Sequence, residues 1–225
     1  MFYLPKISHV VTASALLTSM SLVSMSAYAG TSIHVGASSL GLQLGIAQSL
    51  TDNVNIKLAY SGASYDADGE TDGVDYEYDL DLSSVSLLLD WHAFDNGFRF
   101  TAGALANNNE ITAESKISGA TVEVGDSVFT SDQVGRLEGD ISFDSLAPYL
   151  GIGWGRAVAD GLSVSLDLGV VFQGEPEVNL QSVGGSFSDN PLLIAEVERE
   201  EQELQDDADE FDLYPVISLG LSYRF

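Results

Sequence analysis

The sequence predicts an all-β fold, an eight-stranded antiparallel transmembrane β-barrel with one short extracellular helix in the last long loop. Three observations predict it. First, Phe211 to Phe225 alternates strictly. Phe211, Leu213, Pro215, Ile217, Leu219, Leu221, Tyr223 and Phe225 fall on one face, and Asp212, Tyr214, Val216, Ser218, Gly220, Ser222 and Arg224 on the other. A membrane-crossing strand needs about 9–11 residues with an apolar outer face and aromatics at the interface. Second, 45% of the chain is hydrophobic, yet no stretch approaches the roughly 18 consecutive apolar residues of a membrane helix. Third, the connections alternate between short (51–53, 95–97, 157–161) and longer (66–73, 115–140, 174–210), as periplasmic turns and extracellular loops do.

The elements follow in order. Residues 1–29 read as a cleaved signal peptide, with Lys6 as the positive region, Val10 to Val23 as the apolar stretch and Ala27-Tyr28-Ala29 as the cleavage site. The mature domain is then 30–225. A first strand is expected over Thr31 to Ala37, because a barrel with both ends periplasmic needs an even strand count. Leu40, Leu42, Leu44 and Ile46 form the next apolar face, and Val54, Ile56, Leu58 and Tyr60 the one after. Val74, Tyr76, Tyr78, Leu80 and Leu82 alternate with acids. The apolar set then shifts phase to Val85, Leu87, Leu89 and Trp91. One extra residue would cause that shift, which predicts a β-bulge at Ser83-Ser84. Asn96-Gly97 turns the chain into Phe98, Phe100, Ala102 and Ala104. Ser115 to Asp140 reads as a long polar connection, with Thr121 to Val124 pairing locally. Leu150, Ile152 and Trp154 alternate with glycines, and Leu162 to Phe172 supplies another apolar face. Pro191 to Ala208 reads as a helix. Asn190 stands at its N-cap, Pro191 at its first position, and Leu193, Val197, Leu204 and Ala208 make one stripe. The barrel mouth is the expected seat of that stripe, which makes the helix a lid.

Charge narrows the function classes. Lys and Arg total 8 against 34 Asp and Glu, and loss of Lys6 with the leader leaves 7 − 34 = −27. Nucleic acid binding needs a basic footprint and is excluded. With no cysteine, neither disulfides nor thiol chemistry are available.

The segments L-L-L-D-W-H-A-F-D-N-G-F-R-F-T-A-G (87–103), A-P-Y-L-G-I-G-W-G (147–155), D-L-G-V-V-F-Q-G-E-P-E-V (167–178) and L-Y-P-V-I-S-L-G-L-S-Y-R-F (213–225) are similar to a group of small proteobacterial outer-membrane β-barrels. That group resembles the OmpA transmembrane barrel in architecture. The resemblance implies location in the Gram-negative outer membrane, after export to the periplasm, with outer-membrane lipid and lipopolysaccharide as surroundings. It also implies folding by the barrel assembly machinery, with Tyr223 and Phe225 as the assembly signal. It brings no reaction, ligand or cofactor.

The candidate sites follow from strand phase. Lys57, Asp90, Arg99, Asp167 and Arg224 point inward, and an eight-stranded lumen is just wide enough for side chains to fill. A charge network that plugs the lumen is expected, and the protein is read as structural or surface-interacting. A narrow porin-like channel or carrier for small solutes is the alternative. Glycines on the inward face, Gly151 and Gly153, are read as relieving crowding. Asp66, Asp68, Glu70, Asp72, Asp75, Glu77, Asp79 and Asp81 offer oxygen ligands to divalent cations but lack EF-hand spacing, so the expectation is a solvated acidic loop. An outer-leaflet lipid hydrolase would rest on His34, with Ser32, Ser38 and Ser39 nearby in sequence; the expectation is no enzyme, no metal and a monomer.

Overall fold

The protein is described here by a computed structural model covering residues 30–71, 74–94, 96–117, 120–156 and 160–224. The leader reading over 1–29, the Asp72-Gly73 turn, Asp95, residues 157–159 and Phe225 lie outside the described residues.

Alternation places the strands in chain order: β1 (Thr31–Ser38), β2 (Gly41–Ser49), β3 (Val54–Thr71), β4 (Val74–Trp91), β5 (Phe98–Asn107), β6 (Glu110–Lys116), β7 (Thr121–Val124) and β8 (Ser127–Thr130). A single helical turn, α1 (Ser131–Val134), leads into β9 (Gly135–Ser142), β10 (Leu146–Trp154), β11 (Gly161–Phe172) and β12 (Glu177–Gly184). Then come α2 (Pro191–Ala208), a 3₁₀ turn over Asp209–Phe211, and β13 (Leu213–Arg224). Eight of these strands close an antiparallel barrel in the order β1–β2–β3–β4–β5–β10–β11–β13, with β13 returning to β1. The closing seam sets Ile33 opposite Tyr223 and Ala37 opposite Leu219. Leu42, Leu44, Leu58, Leu87, Leu89, Leu166, Leu168, Leu219 and Leu221 stand exposed on the outside, while their sequence neighbours are buried inside.

The strands do not stop together. β3 and β4 run on as a ladder to Thr71 and Val74, so the expected loop from Asp66 is mostly strand. β6 extends β5 along β4, β9 extends β10 along β6, and β12 extends β11 along β9. The polar connection expected over 115–140 is therefore largely sheet. These extensions make a wall above one side of the barrel, in the order β3–β4–β6–β9–β12.

No bulge interrupts β4 against β3. Gly62 faces Ser83 and Ser61 faces Ser84 in an unbroken register from Val54–Trp91 to Thr71–Val74. What changes is the surroundings. Below Ser83 the odd positions Val85, Leu87, Leu89 and Trp91 face outward and are apolar, while Ser84, Ser86 and Asp90 face the lumen. Above Ser83 the outward odd positions are Glu77, Asp79 and Asp81, and the inward ones include Leu80 and Leu82. The phase shift in the sequence is an inversion of which face is oily, with side-chain direction unchanged.

The wall carries its own core. Val122, Val124, Val134, Leu137, Leu193 and Val197 are buried together, with Phe129, Leu180 and Phe187 packed against them. The helix α2 begins as expected: the Asn190 side chain accepts from the Leu192 N–H at 2.9 Å. Leu193, Val197 and Ala208 are buried, but Leu204 is exposed. The buried stripe meets β12 and β7, so α2 is seated on the wall and not on the residues that close the barrel mouth.

Candidate functional site: the lumen and the wall

The lumen is filled from two chemistries. At the upper end Leu40, Leu88, Leu105, Ala147, Tyr149, Val171 and Val216 form one buried apolar cluster, with Tyr214 against it. Below lie three of the five charges that strand phase directed inward. The Arg99 guanidinium bonds the Asp167 carboxylate and approaches Asp90 at 3.5 Å. It also donates to the Gly155 carbonyl at 2.5 Å, and Thr101 Oγ1 donates to Asp90 at 2.7 Å. Arg99 is 1% exposed, Asp90 0% and Asp167 4%. Pairing offsets part of the cost of burying these charges, and Asp90 Oδ2, Arg99 Nε and Asp167 Oδ2 are left without a hydrogen-bond partner among the described residues.

Glycine makes the trio possible. Gly153 lies directly between Arg99 on β5 and Asp167 on β11 in the cross-strand register. A Cβ at Gly153 would run into both side chains. Gly151 and Gly169 play the same part under the Tyr149 ring, whose hydroxyl occupies the space their side chains would take. A narrow barrel needs such gaps to admit large inward groups.

The other two residues of the expected network stand apart. Lys57 is buried and lines a void of about 30 Å³ together with Asp167, Gln43, Ser61, Ser86 and Ser218, but no ion pair joins it to the trio. That is room for water, which needs about 10–15 Å³ on this measure. Arg224 is in inward phase but sits at the lower rim, partly exposed, 3.1 Å from Asp160. The inward charges thus form a trio with a neighbouring lysine, and Arg224 belongs to the rim. Of the assembly signal, Tyr223 faces outward on β13.

His34 is 2% exposed and faces the lumen, with Nδ1 3.1 Å from Ser222 Oγ. The serines near it in sequence are not its partners. Sequence proximity missed Ser222 because the pairing is made by barrel closure, across β1 and β13.

The wall's outer face gathers acids in cross-strand rows. Asp66, Asp79, Thr112, Asp140 and Asn179 share one row, and Asp68, Glu77, Glu114, Glu138 and Gln181 the next. Its inner face carries Tyr65, Leu80, Ile111, Ile141 and Val178 in a single row. Slight desolvation, followed by a hydrogen bond that the protonated Asp79 carboxyl donates to Asp66 and by the charges of Asp66, Glu77 and Asp81, raises the Asp79 carboxyl above its ordinary value. Arg136 offsets two of the acids, at 3.4 Å from Glu114 and 2.6 Å from Glu138. Among the described residues no three carboxylates or imidazoles are grouped to hold a metal ion.

No family model matches the chain, and no curated protein matches it. Solved structures do, among them the following two. One, from Acinetobacter baumannii CarO2, is 22% identical with a TM-score of 0.56, over 87% of this chain and 97% of that one. The other, from Acinetobacter baumannii CarO, is 20% identical with a TM-score of 0.56, over 88% of this chain and 98% of that one. At these identities the likeness is one of fold: the chain folds like the two CarO proteins along nearly their whole length.

Proposed function

We propose that this chain is a sealed, non-enzymatic outer-membrane β-barrel that holds an acidic wall and a helix outside the cell. The observation that carries this reading is the double closure of the lumen, an apolar cluster around Tyr149 above the Arg99–Asp90–Asp167 trio, with a void of about 30 Å³ between their linings. The belt of exposed leucines supports a lipid environment, since a closed barrel with an apolar outside leaves no unpaired strand edge in the bilayer. The likeness in fold to the CarO structures and the resemblance of the strand segments to outer-membrane barrels point the same way. Burial of His34 inside the barrel speaks against the hydrolase, because lipid outside cannot reach it. The narrow channel is the second reading. It is favoured by polar atoms without partners in the lower lumen, including Asp167 Oδ2 and Ser165 Oγ, which suit a wetted path below an apolar gate.

Single-channel recording of the refolded protein in a planar bilayer separates the two. Silence is expected, with heat-modifiable gel mobility showing that the barrel is folded. Discrete, reproducible current steps would overturn the seal in favour of the gated channel.

A further inference from the structure

The wall ends at β12, and a strand at the end of a sheet leaves every second N–H and C=O group without a ladder partner. Here the groups are met by side chains of α2. Glu201 Oε2 accepts from the Leu180 N–H at 2.8 Å, and Gln205 Oε1 from the Val178 N–H at 3.0 Å. The Gln205 amide also donates to the Pro176 carbonyl at 2.7 Å. Glu201 and Gln205 are one helical turn apart, and Val178 and Leu180 are one strand repeat apart. The helix therefore covers the hydrogen-bonding positions of a missing neighbouring strand.

The cover is held mostly by polar contacts. It carries seven carboxylates and one arginine, with no acid in its first turn and no base in its last. The helix dipole is thus left without complementary charges, and Asp206 and Asp207 near the C-terminal end oppose it. Only Leu193, Val197 and Ala208 are buried. Its other clamp is a turn: Glu196 accepts from the Asp126 N–H at 3.0 Å and from Ser127 Oγ at 3.0 Å, and Glu200 accepts from the Gly125 N–H at 3.2 Å.

We propose that β12 is a pairing edge and α2 a displaceable strap over it, the displacing partner being an extended segment of alternating apolar and basic residues. Charge complementarity selects that chemistry. A strand added at β12 would set alternate side chains beside Glu177, Asn179 and Gln181, next to the acid rows through Glu138 and Asp140. The intervening side chains would lie beside Val178 and Leu180, on the apolar side. Main-chain bonds then give affinity and the alternation gives specificity. The inference rests on the surface-interacting part of the proposed function and is independent of whether the lumen conducts.

The test uses the refolded full-length mature protein in detergent, with heat-modifiable mobility confirming the barrel. The probe is a synthetic eight-residue peptide alternating lysine and valine, against a control of the same composition with its lysines and valines in two blocks. The alternating peptide is expected to bind at least about tenfold tighter, with the Val178 and Leu180 amides still protected from hydrogen exchange in the complex. Glu201→Ala with Gln205→Ala removes three bonds of the strap and should tighten binding by about tenfold. Asn190→Ala, which weakens α2 at its cap without touching β12, should shift affinity in the same direction. Equal binding of the two peptides would mean charge attraction only and would overturn the proposal, as would an affinity indifferent to both strap variants. A conducting barrel that still prefers the alternating peptide would overturn the seal and leave the edge intact.

Discussion

Arg99 brings together carboxylates that sequence places far apart. Asp90 is on the neighbouring strand β4, whereas Asp167 is reached on β11 across the glycine gap at Gly153. The inward direction of all three was legible from the two-residue period alone. Which of the inward charges meet was not, because that depends on strand order and on the tilt of closure. Lys57 shares the phase and stays across a void, and Arg224 shares it and ends at the rim. The energetic consequence is asymmetric. Arg99→Ala strands two buried carboxylates and should destabilise the barrel by about 3–5 kcal/mol. Replacing Arg99, Asp90 and Asp167 together by apolar residues of similar volume should recover most of that loss. Urea unfolding followed by gel mobility measures both, and a single variant as stable as the parent would show that the trio does not plug the lumen.

Among the elements, α2 was the most legible in sequence and its seat the least. Asn190 and Pro191 mark its start through local chemistry that needs no tertiary context. Its seat depends on β12 and β7: the local pairing expected at Thr121 to Val124 is β7, whereas β12 does not stand out as sheet until β6 and β9 position it. Ser115 to Asp140 reads as a polar connection for a related reason: one face of β9 carries Arg136, Glu138 and Asp140. The clamp between α2 and the β7–β8 turn has a definite response to acid. The bond from the Asp126 N–H, followed by Ser127 and the charge of Arg199, holds the Glu196 carboxyl below its ordinary value of 4.5. A carboxylate lowered in the folded state contributes its stabilisation above that ordinary value and loses it as pH falls through the lowered one. Exchange protection of the Asp126 amide should therefore be constant at neutral pH and decline only on the acid side of 4.5. In Glu196→Ala it should be weak throughout; an acid transition that persisted in that variant would assign it to another group.

At the scale of the molecule, the inversion along β4 marks, on the proposed membrane reading, how far the barrel would sit in lipid. An unbroken strand that is oily outside at Leu87 and acidic outside at Asp81 has passed from one solvent to another between them. Sequence periodicity detects the change of phase, but it cannot distinguish an inserted residue from a change of surroundings, since both move the apolar set by one position. The register decides, because a bulge would displace the partners on β3 and they are not displaced. The neighbouring strand agrees: outward Leu58 and Tyr60 give way to Ser64, Asp66 and Asp68 at the matching height. The inversion predicts opposite tolerances for one substitution at two outward positions of one strand. Leu87→Arg places a cation in the apolar belt and should cost about 2–4 kcal/mol if Leu87 lies near the midplane. Asp81→Arg, above the boundary, should cost little, because it exchanges one solvated charge for another and relieves repulsion at Asp79. Reversible unfolding from lipid vesicles gives both values. Equal costs at the two positions would place the lipid boundary somewhere other than Ser83 and return the phase shift to a local feature of the strand.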